Sequence, residues 1–181
     1  MWRMYRDYSG GYMTDWGAHH FDIAQWGLGM DESGPIEIIP PDGKDVEYLT
    51  YRYANGVQMY HTGTFEKKGV EFIGTRGRVI VNRGYLETVP GGIMKEPLRP
   101  DEVHLYKSND HQADWLDCIR TRQKPICDVA IGARSAAVCH LGNIAYWTRR
   151  PVRWDPVKQR IVGDAMQSIL MTRSYREPWI L

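Results

Sequence analysis

Asp15, His19, Asp22 and Trp26 follow one another at steps of 4, 3 and 4, a spacing that stacks side chains on one face of an α-helix. Imidazole is the side chain that titrates nearest neutrality, and a carboxylate one turn away can orient it and hold its proton. Such a pair can take a hydroxyl proton while hydride leaves the same carbon. Gly10 and Gly11 precede it, and glycine lets backbone come close to a ligand. Trp26 can supply an apolar wall at the far end. The same residues admit two other readings. In the plainer one, Asp15 caps the helix, Asp22 is solvated and His19 is a surface histidine. In the other, His19 with Asp15 or Asp22 ligates zinc or iron in a lyase or hydrolase. His19 and His20 point about 100° apart on a helix and rarely share one metal, and no His-Glu-x-x-His occurs.

The stripe needs a helix beneath it. Thr14 or Asp15 can cap one running to about Leu28, with Gly29 as the stop. Phe21, Ala24 and Leu28 form its separate apolar face. Ile36–Ile39 reads as a strand between two turns. Residues 46–64 read as a hairpin about Asn55-Gly56, where both turn residues are expected at φ > 0. Strands follow at Val70–Ile73, Arg78–Val81 and Tyr85–Val89, and extend the meander to five or six strands. Gly74-Thr75-Arg76-Gly77 is a hairpin turn, since no Lys-Ser/Thr follows it as in a phosphate loop. Residues 90–103 are a proline- and glycine-rich loop. Helices are expected at 110–122, capped by Ser108 or Asn109, and at 129–148, with Ala130, Ala133, Ala136, Ala137, Leu141, Ile144 and Ala145 on the buried side. Arg153-Trp154-Asp155 begins a short β excursion to Val162, and a last helix covers 164–171. Strands in one run and helices in another predict α+β: one open, largely antiparallel sheet with helices on one face, and residues 1–181 as a single domain.

Composition narrows the class. The chain has 181 residues, 43% hydrophobic and 25% charged, which suits a soluble domain with one real core. The net charge is +1, from 23 basic and 22 acidic residues. There is no basic stripe for nucleic acid, and Glu66-Lys67-Lys68 and Thr148-Arg149-Arg150 read as solvated surface. No apolar run of membrane length and no signal peptide appears. Cys118, Cys127 and Cys139 are odd in number and form no C-x-x-C, so a reducing, cytoplasmic location is expected. His61 and His104 can border a pocket or lie on the surface, His111 starts a helix, and Cys139-His140 is expected to pack.

The run Gly-Gly-x-x-x-Asp-x-Gly-x-His-x-x-Asp-x-x-x-Trp, Gly10 to Trp26, resembles the signature of the glucose–fructose oxidoreductase and inositol dehydrogenase family, called Gfo/Idh/MocA. Glu71–Arg78 resembles the family's F-x-G-T-x-G strand pair, and His111–Ile119 and Asp128–Tyr146 resemble its following helices. Trp154-Asp155 and the closing Arg176-x-Pro178-Trp179 match a bacterial branch. The resemblance implies the C-terminal, substrate-side domain of an NAD- or NADP-dependent sugar or polyol oxidoreductase. It implies His19 as general acid/base and Asp15 as its partner or a hydroxyl ligand, with Gly11, His20, Asp22 and Trp26 as substrate-binding candidates. It also implies a homo-oligomer through the open sheet face, for which Tyr48, Tyr51, Tyr53, Met59, Tyr60 and Phe72 supply apolar material. The sequence departs from the family in two places. It contains no G-x-G-x-x-G and so no Rossmann domain, and it lacks the family's Glu-Lys-Pro. No cofactor is expected on this chain alone, and redox activity is expected to need a Rossmann partner. The alternatives are a stand-alone sugar-binding or dimerisation module, or the metal-dependent lyase or hydrolase above.

Overall fold

The computed structural model describes residues 1–62 and 69–179. Glu66-Lys67-Lys68 and the last two residues of the expected 46–64 hairpin lie outside the described residues. In chain order the elements are α1 (Trp16–Gly27), β1 (Glu37–Ile39), β2 (Leu49–Arg52), β3 (Gln58–His61), β4 (Val70–Gly74), β5 (Gly77–Asn82), β6 (Tyr85–Val89), α2 (His111–Thr121), α3 (Val129–Thr148), β7 (Val152–Asp155), β8 (Arg160–Ile161) and α4 (Ala165–Ile169). One-turn 3₁₀ helices at Trp2–Met4 and Gly11–Met13 precede α1. Among the described residues these make an α+β fold with two open antiparallel sheets. No described helix is long and apolar enough to cross a membrane. The residues group as two compact units, Met1–Thr64 with Ala133–Leu181, and Phe65–Gly132.

The first unit holds a five-stranded sheet in the order β3-β2-β1-β7-β8. The expected continuous meander is thus divided. β1 takes as its second neighbour β7, more than a hundred residues later, through Glu37↔Arg153 and Ile38↔Val152. Alternation decides which face is covered. Ile38, Leu49, Tyr51, Val152 and Trp154 point inward and are buried with Val138, Leu141, Ile144 and Ala145 of α3 and Phe21 of α1. Removing side chains of this size from water stabilises the fold by about 1.5–3 kcal/mol each. Glu37, Arg52 and Arg153 point outward, with Arg52 Nη1 3.1 Å from Glu37 Oε2. Tyr51 and Tyr53, expected to dress the outer face, are 0% and 3% exposed and lie in the core.

Local chemistry corrects several sequence expectations. At the β2–β3 turn only Gly56 takes a positive φ, +87°. The Gly56 N–H donates to the Tyr53 carbonyl, and Asn55 Oδ1 accepts from the Val57 N–H. The loop is therefore three residues closed by a left-handed glycine, not a two-residue turn with both residues at φ > 0. On α3 the buried side is Ser135, Val138, Cys139 and Leu141 to Ala145, while Ala133 and Ala136 are exposed. The helix is set by a close approach: a Cβ on Gly142 would overlap the Tyr51 hydroxyl and come within 3.1 Å of Leu49 Cδ2.

The second unit holds the β4-β5-β6 sheet, with Ile80 and Thr88 buried in it. Here α2 is capped by Asp110, whose Oδ1 accepts from the Gln112 and Ala113 N–H groups at 3.0 Å each. Ser108 and Asn109, the expected caps, stand outside the helix. Asp114 ties the flanking chain by accepting from Tyr106 Oη and the Ile126 N–H. Of the apolar residues on α2 only Cys118 is buried; Trp115, Leu116 and Ile119 are exposed.

Candidate active site

Gly11, Asp15, His19, His20, Asp22 and Trp26 lie in the first unit, on the Gly10–Trp26 segment. Gly11 has φ +69° and opens the 3₁₀ turn before α1. Its N–H donates to Ser9 Oγ, and its carbonyl accepts from Thr14 Oγ1 and from the Thr14 and Asp15 N–H groups. The Gly10 carbonyl accepts from Asn143 Nδ2 of α3 at 2.8 Å. A side chain at position 10 would run into Thr14 and come within 3.0 Å of that amide nitrogen.

Asp15 occupies the N-cap position of α1, but its side chain makes no cap hydrogen bond. The carboxylate instead forms an ion pair with Arg3, Nε to Oδ2 2.8 Å, both side chains 35% exposed. The Arg3 guanidinium also lies over the Tyr12 ring, 5.6 Å from its centroid. One turn on, His19 is exposed and packs against Trp16, ring centroids 5.8 Å apart and planes at 59°. His20 is half-buried, and its Nε2 is shielded from solvent with no hydrogen-bond partner among the described residues.

Asp22 turns the other way. Its Oδ1 accepts from Ser135 Oγ of α3 at 2.7 Å, so this carboxylate is engaged between helices. Beside it the Cys139 thiol is pushed up to about 12, chiefly by burial, with the Asp22 charge adding to the effect. Burial, and then the charges of Asp22 and Glu32, raise Asp31 above the usual carboxylate range. Trp26 is 52% exposed. The helix ends where Gly29 takes φ +67°, as its stop position predicts, and the Met30 N–H closes onto the Gln25 carbonyl. The stripe thus separates into His19 and Trp26 toward solvent, Asp15 half-buried against Arg3, and Asp22 toward α3. In this structure the Asp15 carboxylate is paired with Arg3.

Four residues at or behind this segment escaped the sequence pattern. Arg3 lies too far from the signature in sequence to be grouped with it. Ser135 and Asn143 read as part of an alanine-rich helix, although a buried polar residue there needs a partner. Gln25, 1% exposed, accepts from Tyr53 Oη at 2.7 Å and donates to the Met30 and Ser33 carbonyls. A shallow depression elsewhere in this unit is lined by Pro35, Arg134, Leu141, Trp154, Pro156 and Gln159, none of them a candidate residue. Among the described residues no cluster of three His, Cys, Asp or Glu side chains is placed to hold a metal ion.

A family model described as the C-terminal alpha/beta domain of the Gfo/Idh/MocA oxidoreductases matches residues 1–181. No curated protein and no solved structure matches the chain.

Proposed function

The chain belongs to the Gfo/Idh/MocA oxidoreductase family through that family's C-terminal domain, and from this premise we propose that it is the substrate-binding and proton-transfer half of an NAD(P)-dependent sugar or polyol oxidoreductase. His19 exchanges the proton of the reacting hydroxyl, and Asp15 acts as its partner or as a hydroxyl ligand. One observation carries this reading. A carboxylate whose task is to start a helix accepts from the amides of the first turn, as Asp110 and Asp164 do. Asp15 stands in the same position and makes no such bond. Its half-buried carboxylate pairs instead with Arg3, one turn from exposed His19.

When an alcohol is oxidised, its O–H proton passes to a ring nitrogen of His19 as the carbon becomes a carbonyl; a positioned base contributes about 10²–10⁴-fold to such a step. Tyr12, Trp16 and Trp26, each close to half exposed, offer ring faces to the C–H side of a polyol while Asp15 and Arg3 meet its hydroxyls.

The described residues do not fit a dinucleotide. Every described strand pairing is antiparallel, whereas a pyrophosphate is cradled where a parallel strand turns through glycines into a helix. The nicotinamide, which supplies the hydride acceptor, is on this reading held outside these residues, in another domain or a partner chain. Residues 1–181 act as one functional half, and the buried thiols of Cys118 and Cys139 suit the reducing cytoplasm. An oligomer through the outer sheet face belongs to the same reading, and the Arg52–Glu37–Arg153 row makes that contact polar.

Saturation-transfer NMR of the chain against a panel of polyols and sugar acids tests the binding half. Binding that His19→Ala and Trp16→Ala each weaken about tenfold or more, the scale of one well-made contact, is expected. A panel with no binder removes the reading. Binding in a chain that stays redox-silent when a dinucleotide domain is supplied points to the stand-alone module.

A further inference from the structure

Ser135, Cys139 and Asn143 follow at steps of four on α3 and are 5%, 0% and 7% exposed. They form one buried ridge, and its two polar ends are both spent on the segment that carries the candidate site. Asn143 Nδ2 holds the Gly10 carbonyl at 2.8 Å, and Ser135 Oγ holds the Asp22 carboxylate at 2.7 Å. The two points are eight residues apart on the helix, about 12 Å at 1.5 Å per residue. Gly10 and Asp22 bracket Asp15 and His19 in sequence.

We propose that Asn143 and Ser135 are positioning residues that fix the Gly10–Asp22 segment at both ends, so that the half-buried Asp15 carboxylate and the exposed His19 ring are held in one arrangement. The proposal rests on the function proposed above for what that arrangement does, but the clamp itself stands on the geometry. Asn143 acts through a short relay. Its amide sets the Gly10 carbonyl, and the next residue, Gly11, receives the Thr14 and Asp15 N–H groups at 3.3 and 3.2 Å. The backbone from which the Asp15 side chain departs is therefore fixed by a bond from the far helix. A Cβ at Gly10 would collide with the Thr14 side chain and come within 3.0 Å of the Asn143 amide, so glycine there keeps the turn and the bond from α3 compatible. Ser135 acts at the other end, turning Asp22 away from solvent and with it fixing the rotation of α1. A helix rotated by one residue would swing His19 by about 100°.

A purely structural side chain lowers protection everywhere in its unit, whereas a clamp loosens only what it holds. Amide hydrogen exchange of the whole chain separates the two. Asn143→Leu, and the nearly isosteric Asn143→Asp should the first fail to fold, are expected to speed exchange at Thr14 and Asp15 about tenfold, the ratio that corresponds to one buried hydrogen bond. Exchange across the β1–β2 pairs should stay within about twofold, the level of a surface change. Ser135→Ala is expected to act on the α1 amides about Asp22 and to leave Thr14 in place. Uniform acceleration through both regions, or no acceleration at Thr14 and Asp15, overturns the proposal. Polyol titration of the same samples distinguishes the two claims. Local loosening in a chain that binds no polyol keeps the clamp and removes the proposed function, and polyol binding unchanged by a loosened segment overturns the positioning role.

Discussion

Replacing Gly142 by alanine sets two opposing effects against each other at one atom. An alanine in a helix interior is favoured over glycine by about 0.8–1 kcal/mol. The added methyl, however, would overlap the hydroxyl oxygen of Tyr51, a ring that is 0% exposed and packed edge-on to Phe21 at 5.3 Å. A tyrosine held on both sides cannot swing away, so the backbone of α3 or β2 must move, and overpacking of this kind costs about 1–3 kcal/mol or more. The net expectation for Gly142→Ala is destabilisation by up to about 2 kcal/mol. The hydroxyl that causes the collision has no hydrogen-bond partner among the described residues, and burial pushes its titration well above the ordinary tyrosine range. Tyr51→Phe therefore removes an unpaired buried polar atom and is expected to be neutral or to stabilise by about 1 kcal/mol. In the Tyr51→Phe background Gly142→Ala then meets only Leu49 Cδ2 at 3.1 Å and the ring carbon at 3.2 Å, contacts that small shifts relieve. There the helix preference prevails and the substitution is expected to be neutral or stabilising. Urea unfolding of the two single variants and the double variant closes the cycle, with a coupling of about 2 kcal/mol expected. Additivity to within about 0.5 kcal/mol, or a loss of more than about 1 kcal/mol from Tyr51→Phe alone, would refute the packing described at this contact.

Two further expectations come from single side chains. Burial lowers the His61 titration below the ordinary histidine range, beside Tyr146 Oη 3.2 Å away and the Phe21 ring. Below the unfolded value, about 6.5, the unfolded chain binds a proton that the folded chain refuses. Stability is then lost as pH falls from neutrality toward the folded value. Urea midpoints at pH 7 and pH 5.5 should show the loss, reduced in His61→Gln; an unchanged slope in that variant counts against the assignment. Asp110→Ala removes both first-turn bonds of α2 and is expected to cost about 1 kcal/mol, read as faster amide exchange at Gln112 and Ala113, with Asp110→Asn recovering most of it.

The sequence pattern carried the local structure further than the pairing. α1 and α3 are legible because apolar residues recur at helical spacing between clear stop signals, and α3 is expected and found at 129–148. The β1–β7 pairing is not legible, because nothing in Ile36–Ile39 or Arg153–Asp155 names its neighbour. Such a partner is chosen by the shared burial of Ile38 and Val152. The cap of α2 is not legible where Ser108, Asn109 and Asp110 stand together, since only geometry decides which oxygen reaches the amides. At the candidate site the helix that carries His19 and Trp26, with Asp15 at its N-cap, follows from spacing. Arg3, Ser135 and Asn143 do not, because they reach the segment through space from 12, 113 and 133 residues away. Asp22 illustrates the limit of periodicity. It shares a stripe with His19 in sequence, yet Ser135 draws its carboxylate between the helices.

The claim at the centre is that His19 moves the proton of the reacting hydroxyl. With a dinucleotide-binding domain supplied, in the same polypeptide or as a partner chain, and with a polyol identified by NMR binding, nicotinamide absorbance measures turnover of the wild type and of His19→Gln side by side. The predicted result is a fall in kcat/KM of about 10²–10⁴-fold in a variant whose unfolding midpoint is unchanged. Wild-type turnover in His19→Gln would contradict the account.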